Sequence, residues 1–305
     1  MSAINLIIVG PGGSGTRWLR SITGNGIVGP LRRGWNYFRI SAATGTLTDW
    51  GQFRRFDVQI VATGPAKIAV SHLWMECPPR ARMIFVEDRG YRSFINNGLP
   101  ALRSRSIPVT WALDMALNSP DTSGPHITNA EVEQFAAAGD VMSIHAYDGA
   151  ATANMTPDQI RVDALRAIAW LDARGLGSGA LFRAAYTQNL ATNASAAEPF
   201  FAAQASSTNL SASMETWPHV NPQNVGRYTL HGRSNADLDA RFDTMKKTHC
   251  LWIPYTHGVA TGGAFDMTQA GWDYFLAKYD QAVAEGWMEA TTWPRLLATS
   301  GGIVR

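Results

Sequence analysis

Ionisable side chains follow four predicted strands in the second part of the chain. The segments are FVEDRGY at 85–91, SIHAYDG at 143–149, LFRAAY at 181–186 and IPYTHG at 253–258. In an α/β barrel, residues that follow the carboxyl ends of the strands face one common site. Carboxylates and imidazoles gathered there are suited to acid–base chemistry or to holding a metal ion.

A purely structural role for these groups is the alternative. Asp88 and His145 would then form a buried pair, or Asp88 would form an ion pair with Arg89 or Arg183. Charged groups at strand ends are often paired in this way without taking part in chemistry. The residue types alone leave both interpretations open.

From residue 81 onward, strand and helix patterns alternate. They include a helix at 91–105 that is interrupted before Pro100 and a strand, IPVTWALD, at 107–114. In residues 187–226, which are rich in Ala, Ser, Thr and Asn, the elements have no clear boundaries. Two helix starts carry capping signals: Thr128 is followed three residues later by Glu131, and Thr156 precedes Pro157 at the first helical position. Repeated strand-then-helix order predicts a parallel sheet or barrel over residues 81–305. The fold class expected is therefore α/β.

The front of the chain has a different pattern. In residues 31–80, β-branched and aromatic residues alternate or cluster in three predicted strands, WNYFRISA at 35–42, FDVQIVAT at 56–63 and KIAVSHLWM at 67–75, with turn sequences between them. This pattern predicts a small antiparallel β-sandwich domain. Before it, the strand-like IIV at 7–9 enters a glycine-rich loop and an apparent helix. This loop resembles the phosphosulfate-binding loop of sulfotransferases, but it lacks the lysine of a nucleotide-binding P-loop and the βαβ unit around it. We therefore expect residues 1–30 to be an N-terminal attachment segment.

Composition excludes several classes of protein. The chain of 305 residues has two cysteines, too few for a disulfide scaffold. No apolar run is long enough to cross a bilayer, and the first residues lack the features of a secretory signal, so we expect no membrane insertion. Residues 1–110 contain 14 Lys or Arg and 5 Asp or Glu, against 12 and 19 in residues 111–305. The arginines form no run or nucleic-acid motif, and we expect no nucleic-acid partner.

The order of the four strand-end segments resembles that of the NodB-like polysaccharide deacetylases, which are carbohydrate esterases. The resemblance covers residues 81–305 and implies a distorted (β/α) barrel behind the small β-sandwich. It implies these roles: Asp88 as the general base, His145 as a ligand-type histidine, Arg183 as the arginine that orients the base, Tyr186 as the oxyanion N–H, and His257 as the general acid.

Three departures from the family pattern concern its metal site. Arg89 stands where the family has a metal-binding aspartate, Gly149 where it has the second histidine, and Ala185 where it has proline. A guanidinium is always charged and would repel a divalent cation. We therefore expect no metal and no other cofactor, and we expect His145 and Arg89 to contact substrate instead.

An alternative register treats Arg89 as an insertion. Glu87 then becomes the base, and Asp88, His145 and Asp148 form a ligand set that zinc accepts. Neighbouring strand residues point to opposite faces, so this register needs a β-bulge.

A small β part in front of a deacetylase-like barrel resembles the arrangement found in glycan-directed proteins of bacteria and of phage tails. This resemblance implies a phage tail-associated protein, of the receptor-binding or tail-fibre type, that recognises bacterial surface polysaccharide without metal-dependent catalysis. Trp35 and Trp50, near turns of the sandwich, are candidate sugar contacts. We expect other tail proteins as partners, a homo-oligomer, and a place in the virion, or an extracellular place reached by a non-Sec route. The alternatives are an active metal-dependent deacetylase and a purely structural tail component.

Overall fold

The computed structural model describes residues 3–9, 17–21, 55–61, 80–150, 154–177, 182–184, 196–206, 225–263 and 265–299. The chain divides into two compact units, Met1–Cys77 and Pro78–Arg305. None of the described helices is long and apolar enough to cross a membrane.

Three antiparallel strands are described in the first unit: β1 (Ala3–Val9), β2 (Arg17–Ser21) and β3 (Arg55–Val61). The central strand is β1, with Ile7 opposite Leu19 of β2. Residues 1–30 thus contribute the middle of this sheet. The expected helix after the glycine-rich loop is wrong, because that stretch forms β2. Pairing with the adjacent β1 overrides the local pattern.

The strand predicted around FDVQIVAT is confirmed as β3. The other predicted strands of the β-sandwich, at 35–42 and 67–75, lie outside the described residues. The described strands of this unit form a three-stranded antiparallel sheet, and the sandwich stays a prediction.

The second unit alternates strands and helices. Its strands are β4 (Ala81–Met83), β5 (Phe85–Asp88), β6 (Val109–Asp114), β7 (Val141–Ala146), β8 (Phe182–Ala184), β9 (Ala203–Ser206), β10 (Val225–Gly226), β11 (Tyr228–Thr229), β12 (Leu251–Trp252), β13 (Pro254–Thr256), β14 (Gly258–Val259), β15 (Asp266–Met267) and β16 (Met288–Ala290). Its α-helices are α1 (Arg92–Asn97), α2 (Leu99–Arg103), α3 (Asn129–Ala137), α4 (Pro157–Asp172), α5 (Asn235–Thr248), α6 (Gln269–Ala284) and α7 (Trp293–Thr299).

Eight of these strands form a sheet in which all seven pairings of neighbouring strands are parallel. The order is β10-β9-β8-β7-β6-β5-β13-β11. The two end strands, β10 and β11, are separated in the chain by Arg227 alone. One short segment therefore joins both edges and closes the sheet into a distorted barrel. The predicted α/β barrel is confirmed.

Two hydrophobic clusters occupy the two faces of the sheet. The smaller cluster fills the barrel interior. Its members Val86 and Val225 lie two residues from Asp88 and Arg227, and side chains two residues apart in a strand point to the same face. Its members are Ile84, Val86, Ala112, Ala203, Ala205, Val225, Leu251, Ile253, Tyr255, Trp293 and Leu296. The larger cluster includes Phe85, Trp111, Trp252 and Trp272 and packs the helices onto the outside.

Local capping fixes the helices that surround the barrel. Thr128 and Glu131 form the predicted capping box of α3, and Thr156 with Gln159 forms another at the start of α4. Each box satisfies backbone donors that a helix start leaves open. The interruption expected before Pro100 is also present, because α1 and α2 are separated at Gly98.

Candidate functional site

The carboxyl ends of the parallel strands bring charged residues together at one mouth of the barrel. Asp88 ends β5, Asp114 ends β6, His145 lies one residue before the end of β7, and His257 follows β13. Arg227 joins them from the closing segment between β10 and β11. The strand-end rule thus holds for Asp88, His145 and His257, which the sequence singled out.

Asp88 is ion-paired with Arg227 in the barrel interior. The Nη1 atom of Arg227 lies 2.6 Å from Oδ1 of Asp88, and both residues are 1% exposed. Burial opposes ionisation of Asp88, but the charge of Arg227, together with the hydrogen bond that Arg227 donates, outweighs it and lowers the pKa of the carboxyl group. Asp88 is therefore an ionised carboxylate whose charge is balanced by a guanidinium.

A second buried carboxylate, that of Asp114, contacts both an imidazole and a guanidinium group. Its Oδ1 lies 2.7 Å from Nδ1 of His145, and its Oδ2 lies 3.0 Å from Nε of Arg89. Asp114 and His145 are almost completely buried. Contact through Nδ1 fixes the imidazole ring and leaves Nε2 on its opposite side.

The turn after β5 explains how Arg89 reaches Asp114. Arg89 and Gly90 have positive φ angles of 79° and 68°. The backbone N–H groups of Gly90 and Tyr91 donate to the carboxylate of Glu87 at 2.6 and 2.8 Å. This carboxylate holds a turn that places a non-glycine residue in the left-handed region.

Glu87 is turned toward that backbone and buried. Burial raises the pKa of Glu87 well above its ordinary value, and the two backbone hydrogen bonds offset this only in part. In the alternative register Glu87 is the base, but its carboxylate oxygens already accept two N–H groups of the turn. The observed contacts of Glu87 therefore stabilise the turn after β5.

The described residues do not fit a divalent cation. Guanidinium groups accompany both Asp88 and Asp114, and a cation placed between them would be repelled. Within the described part of the chain no group of three His, Cys, Asp or Glu residues has a metal-binding arrangement. Asp148, the third ligand of the alternative set, is exposed, and its Oδ1 accepts the N–H of Ala150.

Gly149 occupies the place of the family's second histidine and is constrained by its surroundings. Its φ is +76°, and a Cβ atom there would lie 2.7 Å from Cδ1 of Leu117. Its carbonyl accepts a hydrogen bond of 3.3 Å from Nη2 of Arg89. The glycine and the arginine that replace two family ligands thus contact each other.

Aromatic and imidazole rings form a rim beside this charged centre, which we call the aromatic rim: Tyr91, His231, His257 and Phe265. The ring of His257 lies 5.3 Å from that of Phe265 and 5.9 Å from that of Tyr91, and His231 lies 5.3 Å from Phe265. Phe265 is 57% exposed. An exposed ring next to polar groups is the kind of surface on which the apolar face of a sugar packs.

His257 connects the aromatic rim to the charged centre. Burial lowers the pKa of His257 to about 4, although the negative charge of Asp88 acts in the opposite direction. Its Nδ1 is buried and has no hydrogen-bond partner among the described residues. The imidazole is therefore neutral at pH 7 and retains an unused polar atom.

Several residues singled out in the sequence have no described side chain. Arg183 lies in β8 with its backbone opposite Ile144, and only its backbone is described. Tyr186, Trp35 and Trp50 lie outside the described residues. Their assigned roles stay predictions.

The sequence interpretation missed Asp114 and Arg227. Asp114 ends the predicted strand IPVTWALD, so the strand-end rule that pointed to Asp88 and His145 could have found it. Arg227 follows a stretch rich in Ala, Ser, Thr and Asn whose elements had no clear boundaries, and no local signal marks it.

No protein-family model and no curated protein matches the chain. Similar solved structures include the Xyl-CE4 domain of a multidomain xylanase from the hindgut metagenome of Trinervitermes trinervoides (12% identity, TM-score 0.46, covering 73% of this chain and 92% of that one). Another is a family 4 acetyl xylan esterase from Clostridium thermocellum (15%, TM-score 0.47, 72% and 92%). A third is BA3943, a CE4 family pseudoenzyme from Bacillus anthracis (10%, TM-score 0.43, 72% and 66%).

The solved structures similar to this chain thus include carbohydrate esterases and a pseudoenzyme, which is the kind of protein that the predicted resemblance names.

Proposed function

We propose that the Pro78–Arg305 unit recognises bacterial surface polysaccharide and does not carry out metal-dependent deacetylation. The observation that carries this proposal is the pairing of each mouth carboxylate with an arginine, Asp88 with Arg227 and Asp114 with Arg89. Breaking a buried ion pair to admit a cation leaves an uncompensated guanidinium and costs several kcal/mol.

The aromatic rim supports a glycan as the ligand. Phe265 is among the few large apolar side chains exposed in the described part of the chain, and it lies against His231 and His257. Imidazole and phenyl rings together offer stacking and hydrogen bonding, which suits a sugar with one apolar face and several hydroxyls.

The test compares Phe265→Ala with Leu165→Ala, which removes another exposed apolar side chain, on α4. Binding of the full chain to an array of acetylated and non-acetylated bacterial glycans is measured for each. We expect Phe265→Ala to weaken binding by about fivefold to tenfold, the loss of one aromatic contact. Leu165→Ala should bind like the wild type. Equal binding by both variants, or silence of the wild type on the array, would overturn the proposal.

The setting we propose is a phage tail, in which this chain is a homo-oligomeric receptor-binding or tail-fibre-type protein beside other tail proteins. Support comes from the sequence arrangement, a small β part in front of an esterase-like domain. Mass spectrometry of purified virions would test it, and absence of the chain from intact particles would contradict it. Stable assembly with tail proteins but no glycan binding would favour a purely structural component.

Hydrolysis of acetyl groups is the second candidate function. It is favoured by the convergence of an ionised Asp88 with His145 and His257 at the barrel mouth. Acetate release from acetylated glycans is measured with and without added zinc or cobalt. We expect none in either condition, and stoichiometric metal together with acetate release would establish the esterase instead.

A further inference from the structure

A surface cavity of about 330 Å³ lies on the outside of the barrel, against α5. Its lining consists of Tyr228, Arg233, Asp237, Ala240, Arg241 and Thr244. The volume falls at the lower end of the range for small-molecule sites. It suits one sugar unit or a smaller group and excludes a folded segment.

Tyr228, one of the lining residues, is 1% exposed. The guanidinium carbon of Arg241 lies 4.9 Å from the centre of the ring, and that of Arg233 lies 5.1 Å from it. Both arginines are half-buried. Contact with the same aromatic ring restricts both planar cations and pre-organises their N–H donors.

Asp237, the one acidic side chain among the described lining residues, already has partners. Its Oδ2 accepts hydrogen bonds from the backbone N–H of Ser234 at 3.1 Å and from the Ser234 hydroxyl at 2.8 Å, in the capping box of α5. Arg241 forms no ion pair with a carboxylate among the described residues. The lining therefore has two guanidinium groups against one carboxylate, a net charge of +1, and guanidinium N–H donors suit a carboxylate or phosphate.

This cavity adjoins the aromatic rim. Nε of Arg233 donates to the carbonyl oxygen of Thr229 at 3.3 Å, and the Thr229 hydroxyl contacts Nδ1 of His231, a member of the rim. The rim and the cavity are thus connected through one threonine.

We propose that the cavity formed by Tyr228, Arg233 and Arg241 binds an anionic substituent, a carboxylate or a phosphate, of the polysaccharide. The inference rests on the proposed glycan recognition and narrows its target to an acidic polysaccharide. Attraction by a half-buried pair of arginines weakens as ionic strength rises, because salt screens exposed charges.

The experiment uses the full chain and a matched pair of probes, methyl glucuronide and methyl glucoside, which differ only in the carboxylate. Calorimetric or NMR titrations at low salt measure affinity for the wild type and for Arg241→Met, Arg241→Lys and Arg166→Met. Arg166 is the matched control, because its guanidinium lies 3.9 Å from the ring of Tyr147 but does not line the cavity.

We expect the wild type to prefer the glucuronide and Arg241→Met to lose about tenfold in its affinity. Arg241→Lys should keep part of the preference, and Arg166→Met all of it. Competition by inorganic phosphate would point to a phosphate-bearing glycan, and its absence to a carboxylate-bearing one. Equal binding of both glycosides, or an unchanged Arg241→Met, would overturn the proposal.

The experiments can contradict glycan binding at the aromatic rim and anion binding at the cavity independently of each other. If Phe265→Ala leaves polysaccharide binding unchanged while the glucuronide preference still depends on Arg241, the rim proposal is wrong and the anion site stands. The reverse result removes the anion site alone.

Discussion

The barrel mouth and the arginine cavity on α5 both contain arginines beside aromatic rings, but they differ in charge balance. At the mouth, Arg227 lies 4.3 Å from the ring of Tyr255 and is ion-paired with Asp88. At the cavity, Arg241 lies over Tyr228 and has no carboxylate partner among the described residues. The first arginine is fully buried and the second is half-buried.

The difference shows how burial decides what a charge can do. A fully buried guanidinium must have a counter-charge from its own chain, since water cannot supply the solvation. A half-buried one keeps enough water to remain unpaired, and it is then available to a ligand. Arg227 therefore stabilises the folded barrel, whereas Arg241 is the arginine that we propose binds the ligand.

The largest expected effect separates these two arginines by stability. Arg227→Met should lower the free energy of unfolding by about 3–5 kcal/mol, because it leaves Asp88 as a buried, uncompensated charge. Arg241→Met should cost about 0.5–1 kcal/mol, the value of an exposed cation–aromatic contact. Urea denaturation followed by circular dichroism measures both.

A second variant sharpens this comparison. Adding Asp88→Asn to Arg227→Met removes the orphaned charge and should recover part of the loss. Similar losses for Arg227→Met and Arg241→Met would show that burial does not distinguish the two sites.

The next largest loss of stability is expected from alanine substitutions of glycines near the barrel mouth and near the arginine cavity. Gly149, near the mouth, and Gly232, next to Arg233, have φ angles of +76° and +68°. Gly149→Ala should cost about 2–4 kcal/mol, since the left-handed backbone strain adds to contact of the new Cβ with Leu117. Gly232→Ala meets no atom within 4 Å and should cost about 1–2 kcal/mol. Thermal unfolding that ranks them in the opposite order would contradict the crowding described at the mouth.

The smallest effect concerns pH. The pKa of His257 is about 4 in the folded chain and ordinarily 6.5, so the unfolded state binds more protons between these values. Its contribution to stability is complete above pH 6.5 and is lost as the pH falls toward 4. His257→Gln should therefore lose less stability than the wild type across this window in denaturation series.

Two comparisons isolate that contribution. Glu87 has a raised pKa and acts with the opposite sign above pH 4.5, so the difference between wild type and His257→Gln is the informative quantity. Arg241→Met should keep the wild-type pH dependence, because arginine does not titrate in this range. A His257→Gln profile parallel to the wild type would refute the role assigned to burial.

Local sequence determined the elements and the strand-end positions. Thr128 and Thr156 cap their helices through residues three positions away, and such short-range contacts depend little on the rest of the fold. Asp88, His145 and His257 were located because parallel strands end at the same edge of a sheet. The stretch after the glycine-rich loop forms a strand instead of the predicted helix, because pairing with β1 stabilises it more than its local helical pattern does.

Only the tertiary structure decided which charges meet. Arg227 is 139 residues from Asp88 in the chain, and His145 is 31 residues from Asp114. Closure of the barrel through the single residue between β10 and β11 places Arg227 in the interior, and no local pattern encodes that closure. A sequence specifies the elements through neighbouring residues, whereas the partner of a buried charge depends on how distant strands pair.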